Sequence, residues 1–271
     1  MIALSDLGAD VDWTDAGAAA AARRAVAGRG VGRLGELAEW LAATQGRWPP
    51  VVPQRVRCLA VRPLDARVAE LAAAVDVGVR TLDTGTGLAA GAAAADDEAE
   101  SGCDLAVLVA PEASAGAAAA VAVCTGAEPV AVLPRGGAAV DTTAWIERAR
   151  TVRDLRRAAL ALRNRPDELL AALDDPVLAA TVGFMLQAAV QRTPVVLDGA
   201  GALAAALLAA EVQPRAARWW QLADSSPDPV HTRAAQQLGR PVLLDLDTAG
   251  DGTAGLLAVP LLRAAAAMAG S

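Results

Sequence analysis

One short motif near the end of the chain places a carboxylate in a setting that suits acid–base chemistry. Asp251 lies between Gly250 and Gly252, and Thr253 follows. The glycines leave the carboxylate unshielded, and partial removal from water raises a carboxyl pKa toward the range of a general base. A solvated aspartate in a turn is the simpler explanation of the same residues. The motif makes Asp251 a candidate base without naming a reaction.

Three further segments combine glycine with a charged or small polar residue at the end of an apolar run. In the first, Glu112 and Gly116 lie where a turn leads into an alanine-rich helix. Free N–H groups at the start of such a helix can bind phosphate. The segment has neither the dinucleotide fingerprint nor the Walker pattern, so an ordinary loop is an open alternative.

The other two segments offer an arginine and an aspartate. Arg135 precedes Gly136 and Gly137, so a guanidinium and an unobstructed backbone could hold a carboxylate or a phosphate. Asp198 precedes Gly199 and could accept ribose hydroxyls or cap the helix that follows. A plain turn explains the arginine segment nearly as well, and capping is the safer interpretation of the aspartate.

The single histidine does not point to metal or hydrolase chemistry. His231 has no second histidine near it in the sequence, which disfavours a metal site. A hydrolase of the serine–histidine type would need a nucleophile elbow, and the chain contains no Gly-x-Ser-x-Gly. The residues therefore indicate where a site lies but leave its reaction open.

Short runs rich in Val and Leu predict the strands that must position these segments. The predicted strands are 56–61, 105–110, 130–133, 194–197 and 242–246, with 77–82 as a weaker candidate. The predicted helices are 33–45, 65–74, 88–100, 142–163, 176–192, 202–210 and 253–269. This alternation is typical of a three-layer α/β/α fold with a mainly parallel sheet. Ligands of such sheets bind beyond the carboxyl ends of the strands, where the segments described above fall.

Residues 1–50 are expected to form a small helical satellite that packs with the C-terminal helix, and residues 51–271 the α/β domain. A net charge of -7 and an aromatic content of 3% argue against nucleic acid or an anionic membrane as a partner. The three cysteines are an odd number, as expected of reduced thiols. The first residues are acidic rather than basic, and no apolar run is long enough for a membrane helix. We expect a cytoplasmic protein that binds small molecules.

Several stretches of the chain resemble one known family, in the same order. Residues 34–46 resemble its N-terminal helix, 194–209 its late strand, turn and helix, and 243–253 its last strand and Gly-Glu-Gly-Thr turn. The family's Ser-x-Glu-Pro-Gly-His segment is matched by Ser226, Asp228, Pro229 and His231. The family is that of the nicotinate-nucleotide:dimethylbenzimidazole phosphoribosyltransferases. The resemblance extends over most of the chain from residue 33 onward.

The resemblance implies an activity and an assembly. Family members transfer phosphoribose from nicotinate mononucleotide to 5,6-dimethylbenzimidazole, which gives α-ribazole phosphate and nicotinate and prepares the lower ligand of cobalamin. They are homodimers with a parallel-sheet core and need neither a metal nor a cofactor for the chemistry. For this chain the resemblance therefore implies a nucleotide and an aromatic base as ligands, and a second copy of the chain as a partner.

The family's roles transfer to matching positions. The glutamate of the Gly-Glu-Gly-Thr turn is the general base on the benzimidazole, so Asp251 would take that proton. Arg148 stands where the family has a lysine. By the same resemblance, the substrate-binding residues are Glu112, Gly116, Arg135, Gly136, Gly137, Asp141, Arg148, Asp198, Gly199, Ser226, His231, Gly250, Gly252 and Thr253.

Departures from the family leave two hypotheses open. Asp251 is one methylene shorter than glutamate, a loss of about 1.5 Å of reach. The family's phosphate loop, Gly-Glu-Met-Gly-Ile-Gly-Asn-Thr-Thr, is reduced here to Glu112 and Gly116 in an alanine-rich stretch. The family's Gly-Asp-His-Gly and its long base-pocket segment are missing after the first strand. The retained carboxylate favours an active transferase with altered substrates, and the eroded loop favours a catalytically lapsed paralogue that binds a partner or ligand without turnover.

Overall fold

A computed structural model describes residues 3–134 and 141–270 of the chain. Its centre is a five-stranded sheet in which all neighbouring strands are parallel, in the order β2-β1-β3-β4-β5. The strands are β1 (Val56–Ala60), β2 (Gly78–Thr81), β3 (Leu105–Val109), β4 (Val195–Asp198) and β5 (Trp220–Leu222).

Helices cover both faces of this sheet. Several begin at a side-chain cap, such as Asp141 before α7 and Ser114 before α6. The helices are α1 (Leu4–Ala9), α2 (Ala16–Val26), α3 (Gly32–Gln45), α4 (Ala66–Ala74), α5 (Leu88–Glu100), α6 (Ala115–Thr125), α7 (Thr142–Ala159), α8 (Pro166–Leu173), α9 (Pro176–Val190), α10 (Ala200–Val212), α11 (Pro229–Leu238) and α12 (Thr253–Ala269). The three-layer α/β/α fold predicted from the sequence is confirmed.

The two layers of helices follow from the alternation of side chains along the strands. In β3, Ala106 and Leu108 face the core formed with α5, α6, α9 and α10. Leu105, Val107 and Val109 face the opposite core, formed with α3, α4 and α12. Because both faces of the sheet are buried, the strands read as continuous apolar runs.

The N-terminal helices pack on both sides of this arrangement. Helix α3 packs against α12 and α2 packs on α3, whereas α1 contacts α8 and α9 on the other face of the sheet. The division of the chain into a satellite of residues 1–50 and a domain of residues 51–271 stays a prediction.

The strand order contains one reversal. From β1 the chain first adds β2 on one side and then returns to add β3 on the other side. In an open parallel sheet this reversal opens a crevice between the two connections at the carboxyl ends of the strands. The loops after β1 and β3 therefore flank the expected ligand position.

One predicted strand was wrong, and another is only an isolated bridge with two further hydrogen bonds to the sheet. Residues 130–133 lie largely in a 3-10 helix, Pro129–Val132, which packs on α6 and α7 outside the sheet. Four apolar residues do not distinguish a strand from a buried helical turn. Residues 242–246 pair with the sheet only at their start. Val242 forms a parallel bridge to Leu222, and the N–H groups of Leu243 and Leu244 donate to the carbonyl oxygens of Leu222 and Ala223, whereas the N–H of Leu246 donates to Asp224.

Other sequence predictions need smaller changes. Strand β5 was not predicted, because three residues directly after the 3-10 helix Ala216–Trp219 give too short an alternation to detect. The helix predicted at 142–163 ends at Ala159 and continues as a 3-10 turn. Cys58, Cys103 and Cys124 are free and buried. Within residues 3–134 and 141–270, no helix is both long and apolar enough to span a membrane.

Helices α5 and α9 pack closely because each places a glycine in their contact. A side chain on Gly91 would overlap the carbonyl group of Ala180, and one on Gly183 would overlap the carbonyl group of Leu88. Both obstructing atoms belong to backbone, which cannot move away as a flexible side chain can. The contact therefore requires glycine at both positions.

We predict that Gly91→Ala and Gly183→Ala each lower the free energy of unfolding by roughly 1–3 kcal/mol through overpacking. Helix propensity alone predicts the opposite sign, a gain of about 1 kcal/mol. Urea unfolding distinguishes the two. Gly270→Ala is the control, since its new methyl would meet nothing closer than the carbonyl oxygen of Ala267 at 3.7 Å. Stabilisation by Gly91→Ala and Gly183→Ala would contradict this packing.

Candidate active site

Asp251 lies in the crevice where the strand order reverses. Its half-buried side chain lines a cavity of about 270 Å³, which we call the Asp251 pocket. Arg62 and its neighbours after β1 form one wall of this pocket, and Val109 and Pro111 of the β3 connection form the other. One carboxylate oxygen of Asp251 accepts the backbone N–H of Thr253 at 2.9 Å, so the side chain is oriented by the start of α12.

Close backbone packing fixes the loop that carries Asp251. A side chain on Gly250 would come within 2.6 Å of the Cα of Gly199. One on Gly199 would in turn come within 2.7 Å of the Cα of Pro111. Both glycines have left-handed φ angles, 68° and 102°. Gly199 and Gly250, which were predicted to contact a substrate, thus allow three segments to pack together. These are the loop after β3, the loop after β4 and the turn before α12.

The start of α12 is held by a buried carboxylate. Asp198, at the end of β4, is 2% exposed, and its Oδ2 accepts the backbone N–H of Gly255 at 2.7 Å. Gly255 makes the approach possible, because a side chain there would lie 2.6 Å from Cγ1 of Val107. Asp198 therefore does accept a helix N-terminal N–H, as a capping residue does, but the helix is α12 and not α10, the helix that follows it in the sequence.

Burial raises the pKa of Asp198 to about 6. The N–H of Gly255 counteracts part of this effect, and the charges of Asp251 and Asp224 raise the pKa further. Three aspartates therefore interact electrostatically at the carboxyl edge of the sheet. At 2% exposure Asp198 has almost no surface with which to meet a ribose, and its contacts are those of a positioning residue.

Asp224, just after β5, organises the approach to Asp251 and was not predicted. Its buried carboxylate accepts the N–H of Leu246 at 2.7 Å and both the N–H and the hydroxyl of Thr248 at 2.8 Å. Burial raises its pKa, but these hydrogen bonds outweigh burial and leave the pKa below its ordinary value. Sequence reasoning missed it because β5 itself was not predicted. The sequence did contain one signal for this role, because Asp224 lies two residues after Leu222, the end of an apolar run.

A second cavity of about 320 Å³, the Arg148 pocket, adjoins the first and shares Arg62 and Pro111 with it. Arg148 reaches across from α7 and donates a hydrogen bond from Nη2 to the carbonyl oxygen of Ala113. Glu112 is mostly exposed and forms an ion pair with Arg62 at 3.4 Å. The structure therefore brings Glu112 and Arg148 together with Arg62, which sequence reasoning had not selected.

The start of α6 is occupied by the protein's own carboxylate. Ser114 caps the helix by accepting the N–H of Ala117 at 2.9 Å, and its hydroxyl donates to Oδ2 of Asp175. Gly116 is buried, and a side chain there would come within 2.7 Å of the same Asp175 oxygen. The glycine predicted to contact phosphate thus makes room for Asp175.

The start of α10 is also satisfied internally. The N–H groups of Ala200 and Gly201 donate to the carbonyl oxygens of Pro111 and Ala110, at 3.0 and 2.9 Å. These helix N-termini therefore present few free N–H groups to an anion. An anionic ligand would need arginines or hydroxyls instead.

Ser226 lines the largest of these cavities, about 1030 Å³, which we call the Ser226 cleft. Thr232, Arg233 and Thr248 also line it, and its wall continues to Ala249, two residues before Asp251. His231, by contrast, is 4% exposed, and burial lowers its pKa. The structure thus places Ser226, but not the histidine side chain, beside open space.

The remaining predicted residues have simpler positions. Gly252 has a φ of 105° and packs against Val109. Asp141 caps α7, accepting the N–H of Thr143 at 2.8 Å. Arg135, Gly136 and Gly137 lie outside the described residues. Within the part of the chain that the structure describes, no cluster of three His, Cys, Asp or Glu side chains could hold a metal ion.

Fold and site together define an α/β protein that can hold a small ligand at the carboxyl edge of a parallel sheet, next to an oriented carboxylate. Such a carboxylate can accept a proton from a ligand in the Asp251 pocket. The Ser226 cleft offers hydroxyls and a guanidinium to a larger ligand with hydrogen-bond acceptors.

Comparisons with known proteins identify the family. Residues 80–271 match a family model described as phosphoribosyltransferase (DBI_PRT). A nicotinate-nucleotide–dimethylbenzimidazole phosphoribosyltransferase of Mycobacterium avium is 34% identical, with 96% of this chain and 93% of that protein covered. The crystal structure of an enzyme of the same name from Thermus thermophilus superimposes with a TM-score of 0.80 at 27% identity, covering 94% of this chain and 96% of that one. The chain belongs to the nicotinate-nucleotide–dimethylbenzimidazole phosphoribosyltransferase family.

The match to some relatives is partial. The enzyme of that name from Streptomyces avermitilis is 37% identical over 172 residues, which cover 62% of this chain and 46% of the relative. The chain thus spans about half the length, or less, of the first curated relatives that it matches.

We predict that Asp224→Ala lowers the free energy of unfolding at neutral pH by roughly 2–3 kcal/mol, because the charged acceptor of several hydrogen bonds is lost. The folded-state pKa of Asp224 is depressed, so its contribution is complete above the unfolded pKa, near 4, and disappears as the pH falls below it. Urea unfolding of both proteins between pH 7 and pH 3 measures this convergence.

Asp245→Ala is the matched control for Asp224→Ala. Asp245 is exposed and accepts one hydrogen bond, from the hydroxyl of Ser225 at 2.5 Å. Its replacement should change the free energy of unfolding by no more than about 0.5 kcal/mol. Equal effects of the two substitutions would contradict the role of Asp224 in holding the loop.

Proposed function

We propose that the protein transfers phosphoribose from nicotinate mononucleotide to 5,6-dimethylbenzimidazole or a related base. The products are α-ribazole phosphate and nicotinate. One observation supports the proposal most directly. The protein has a carboxylate, Asp251, in the Gly-x-Gly-Thr turn, and this carboxylate faces the crevice between the β1 and β3 connections.

In the proposed reaction, a ring nitrogen of the base attacks the anomeric carbon of the ribose. The bond from that carbon to the nicotinate nitrogen breaks, and nicotinate leaves with the bonding electrons. The attacking ring loses its N–H proton to Asp251, so charge and atoms balance without a cofactor. General-base assistance of this kind contributes a factor of about 10²–10⁴ in rate, and positioning of the two substrates contributes the rest.

The volumes of the two cavities support binding of the base in one and of the nucleotide in the other. The Asp251 pocket, about 270 Å³, suits a small planar base. The Ser226 cleft, about 1030 Å³, has room for a mononucleotide and is lined by Arg233 and three hydroxyl-bearing residues. Pro134 also lines this cleft and directly precedes Arg135, which the family resemblance assigns to the phosphate.

The shorter carboxylate is compatible with this chemistry only if the base lies deeper than it would against a glutamate. Asp251 is held by α12, whose first turn contacts β3 and β4 through Gly255. Because the loop after β1 is short, Arg62 and Pro63 form the opposite wall directly. We infer that the base is accepted close to the sheet edge, within reach of the aspartate.

We predict that Asp251→Asn lowers kcat by about 10²–10⁴-fold while the affinity for nicotinate mononucleotide stays unchanged. The asparagine oxygen can still accept the N–H of Thr253, so the fold is kept. Asp251→Glu restores the family residue and should keep turnover. Chromatographic detection of released nicotinate measures kcat, and calorimetric titration measures nucleotide affinity.

Asp174→Asn is the matched control for Asp251→Asn. Asp174 is exposed at the end of α8, lines none of the cavities described above, and has a left-handed φ of 46° that asparagine tolerates. The substitution removes the same charge outside the proposed binding sites, so turnover should be retained. Undiminished turnover by Asp251→Asn would exclude Asp251 as the base. If the unaltered protein binds the nucleotide but shows no turnover, the protein is the catalytically lapsed paralogue of the alternative hypothesis.

We also propose that the protein is a cytoplasmic homodimer, as the family resemblance implies. Two large apolar side chains beside the Ser226 cleft support an interface there: Val130 is 65% exposed and Leu246 is 51% exposed. Sedimentation velocity of the purified chain distinguishes a monomer from a dimer.

A further inference from the structure

A separate cleft of about 520 Å³ lies between the α2–α3 pair and the edge strand β5. It shares no lining residue with the Asp251 pocket, the Arg148 pocket or the Ser226 cleft. Trp13, Arg218, Gln221 and Arg240 line it, and we call it the Trp13 cleft. Arg240 binds the carbonyl oxygen of Trp220, the first residue of β5, at 3.1 Å. The cleft therefore lies toward the amino end of β5, away from Asp251.

Two arginines of the Trp13 cleft have no carboxylate partner among the residues that the structure describes. Arg218 contacts the Trp13 ring, with its guanidinium carbon 6.0 Å from the ring centre. Burial lowers the pKa of Arg240, and the charge of Arg218 lowers it further, so the two cations are close enough to repel each other. An anion placed between them would relieve this repulsion.

The carboxylates that line the cleft are engaged elsewhere. Glu39 forms an ion pair with Arg23 at 2.8 Å, and Glu36 forms one with Arg33 at 2.7 Å. Asp15 accepts the N–H of Ala18 at 2.8 Å as the cap of α2. The carboxylates on the α2–α3 side thus each have an ion-pair or hydrogen-bond partner, whereas Arg218 and Arg240 on the β5 side have no carboxylate partner among the described residues.

A buried amide adds a second, independent observation. Gln221, in the middle of β5, is 8% exposed and lines the cleft. Its side-chain amide makes no hydrogen bond with any described residue. The amide atoms are not among the fully enclosed polar atoms without a partner, so a ligand in the cleft can reach them and form the hydrogen bonds that they lack.

The aromatic wall indicates the shape of that ligand. Trp13 lines the cleft with 62% of its surface exposed, unusual for a tryptophan. The guanidinium carbons of Arg215 and Arg218 lie 5.7 and 6.0 Å from its ring centre. A planar ring stacked on the indole would bury this surface, while an attached anionic group reached Arg218 and Arg240, which line the same cleft.

We propose that the Trp13 cleft is a binding site for a small aromatic carboxylate. The carboxylate pairs with Arg218 and Arg240, the ring stacks on Trp13, and the amide of Gln221 binds a polar atom of the ligand. This site is independent of the proposed transferase activity, because none of its residues lines the cavities around Asp251.

Calorimetric titration of the full chain with benzoate tests the proposal. Benzoate is used rather than nicotinate, since nicotinate would also bind the proposed active site. We expect one benzoate per chain at millimolar concentration or below. Arg218→Gln and Arg240→Gln should each weaken binding at least about tenfold, the effect of losing one charge-assisted hydrogen bond. Thermal unfolding verifies that each variant is folded.

Arg215→Gln is the matched control. Arg215 contacts the same tryptophan but does not line the cleft, so benzoate affinity should stay unchanged. Cyclohexanecarboxylate should bind more weakly than benzoate because its ring does not stack. Absent benzoate binding, or binding that Arg218→Gln leaves unchanged, would overturn the proposal. Equal affinity for inorganic phosphate would overturn it as well, since the site would then recognise charge alone. If Arg240→Gln does not fold, Arg218→Gln decides.

Discussion

The hydrogen bond between the buried Asp198 carboxylate and the start of α12 is the contact on which the rest of the site depends. A carboxylate in the protein interior is costly unless it is hydrogen-bonded, and here the backbone of the last helix supplies the partner. The bond joins strand β4, next to the central strand β3, to α12 and fixes the turn just before that helix. Asp251 is in that turn, so its position is set by a strand more than fifty residues earlier in the chain.

Close backbone packing transmits this constraint across the sheet edge. The connections after β3 and β4 and the turn before α12 meet through Pro111, Gly199 and Gly250. The helix N-termini nearby are satisfied by Asp175 and by backbone carbonyl groups. The edge of the sheet is therefore tightly built where the base is expected and open in the Ser226 cleft, where the nucleotide is expected.

The features that could be predicted are those that depend on neighbouring residues in the sequence, such as apolar runs and turn glycines. Buried strands such as β3 and the helix at 253–269 follow from apolar runs. Asp251 was selected as a candidate base from its flanking glycines, and its role stays a prediction. The predicted strand at 130–133 was wrong, because so short an apolar run fits a 3-10 turn equally well. Asp224, Asp175 and Arg62 were not found, since their roles arise from contacts between segments far apart in sequence. A capping aspartate was foreseen at Asp198, but which helix it caps depends on tertiary packing.

The most direct measurement is a crystal structure of the protein with 5,6-dimethylbenzimidazole. The account predicts the base in the Asp251 pocket, with one ring nitrogen about 2.6–3.2 Å from a carboxylate oxygen of Asp251, the distance required for direct proton transfer. A base bound in the Ser226 cleft or on another surface, with the Asp251 carboxylate beyond hydrogen-bond reach, would contradict the assignment of Asp251 as the general base.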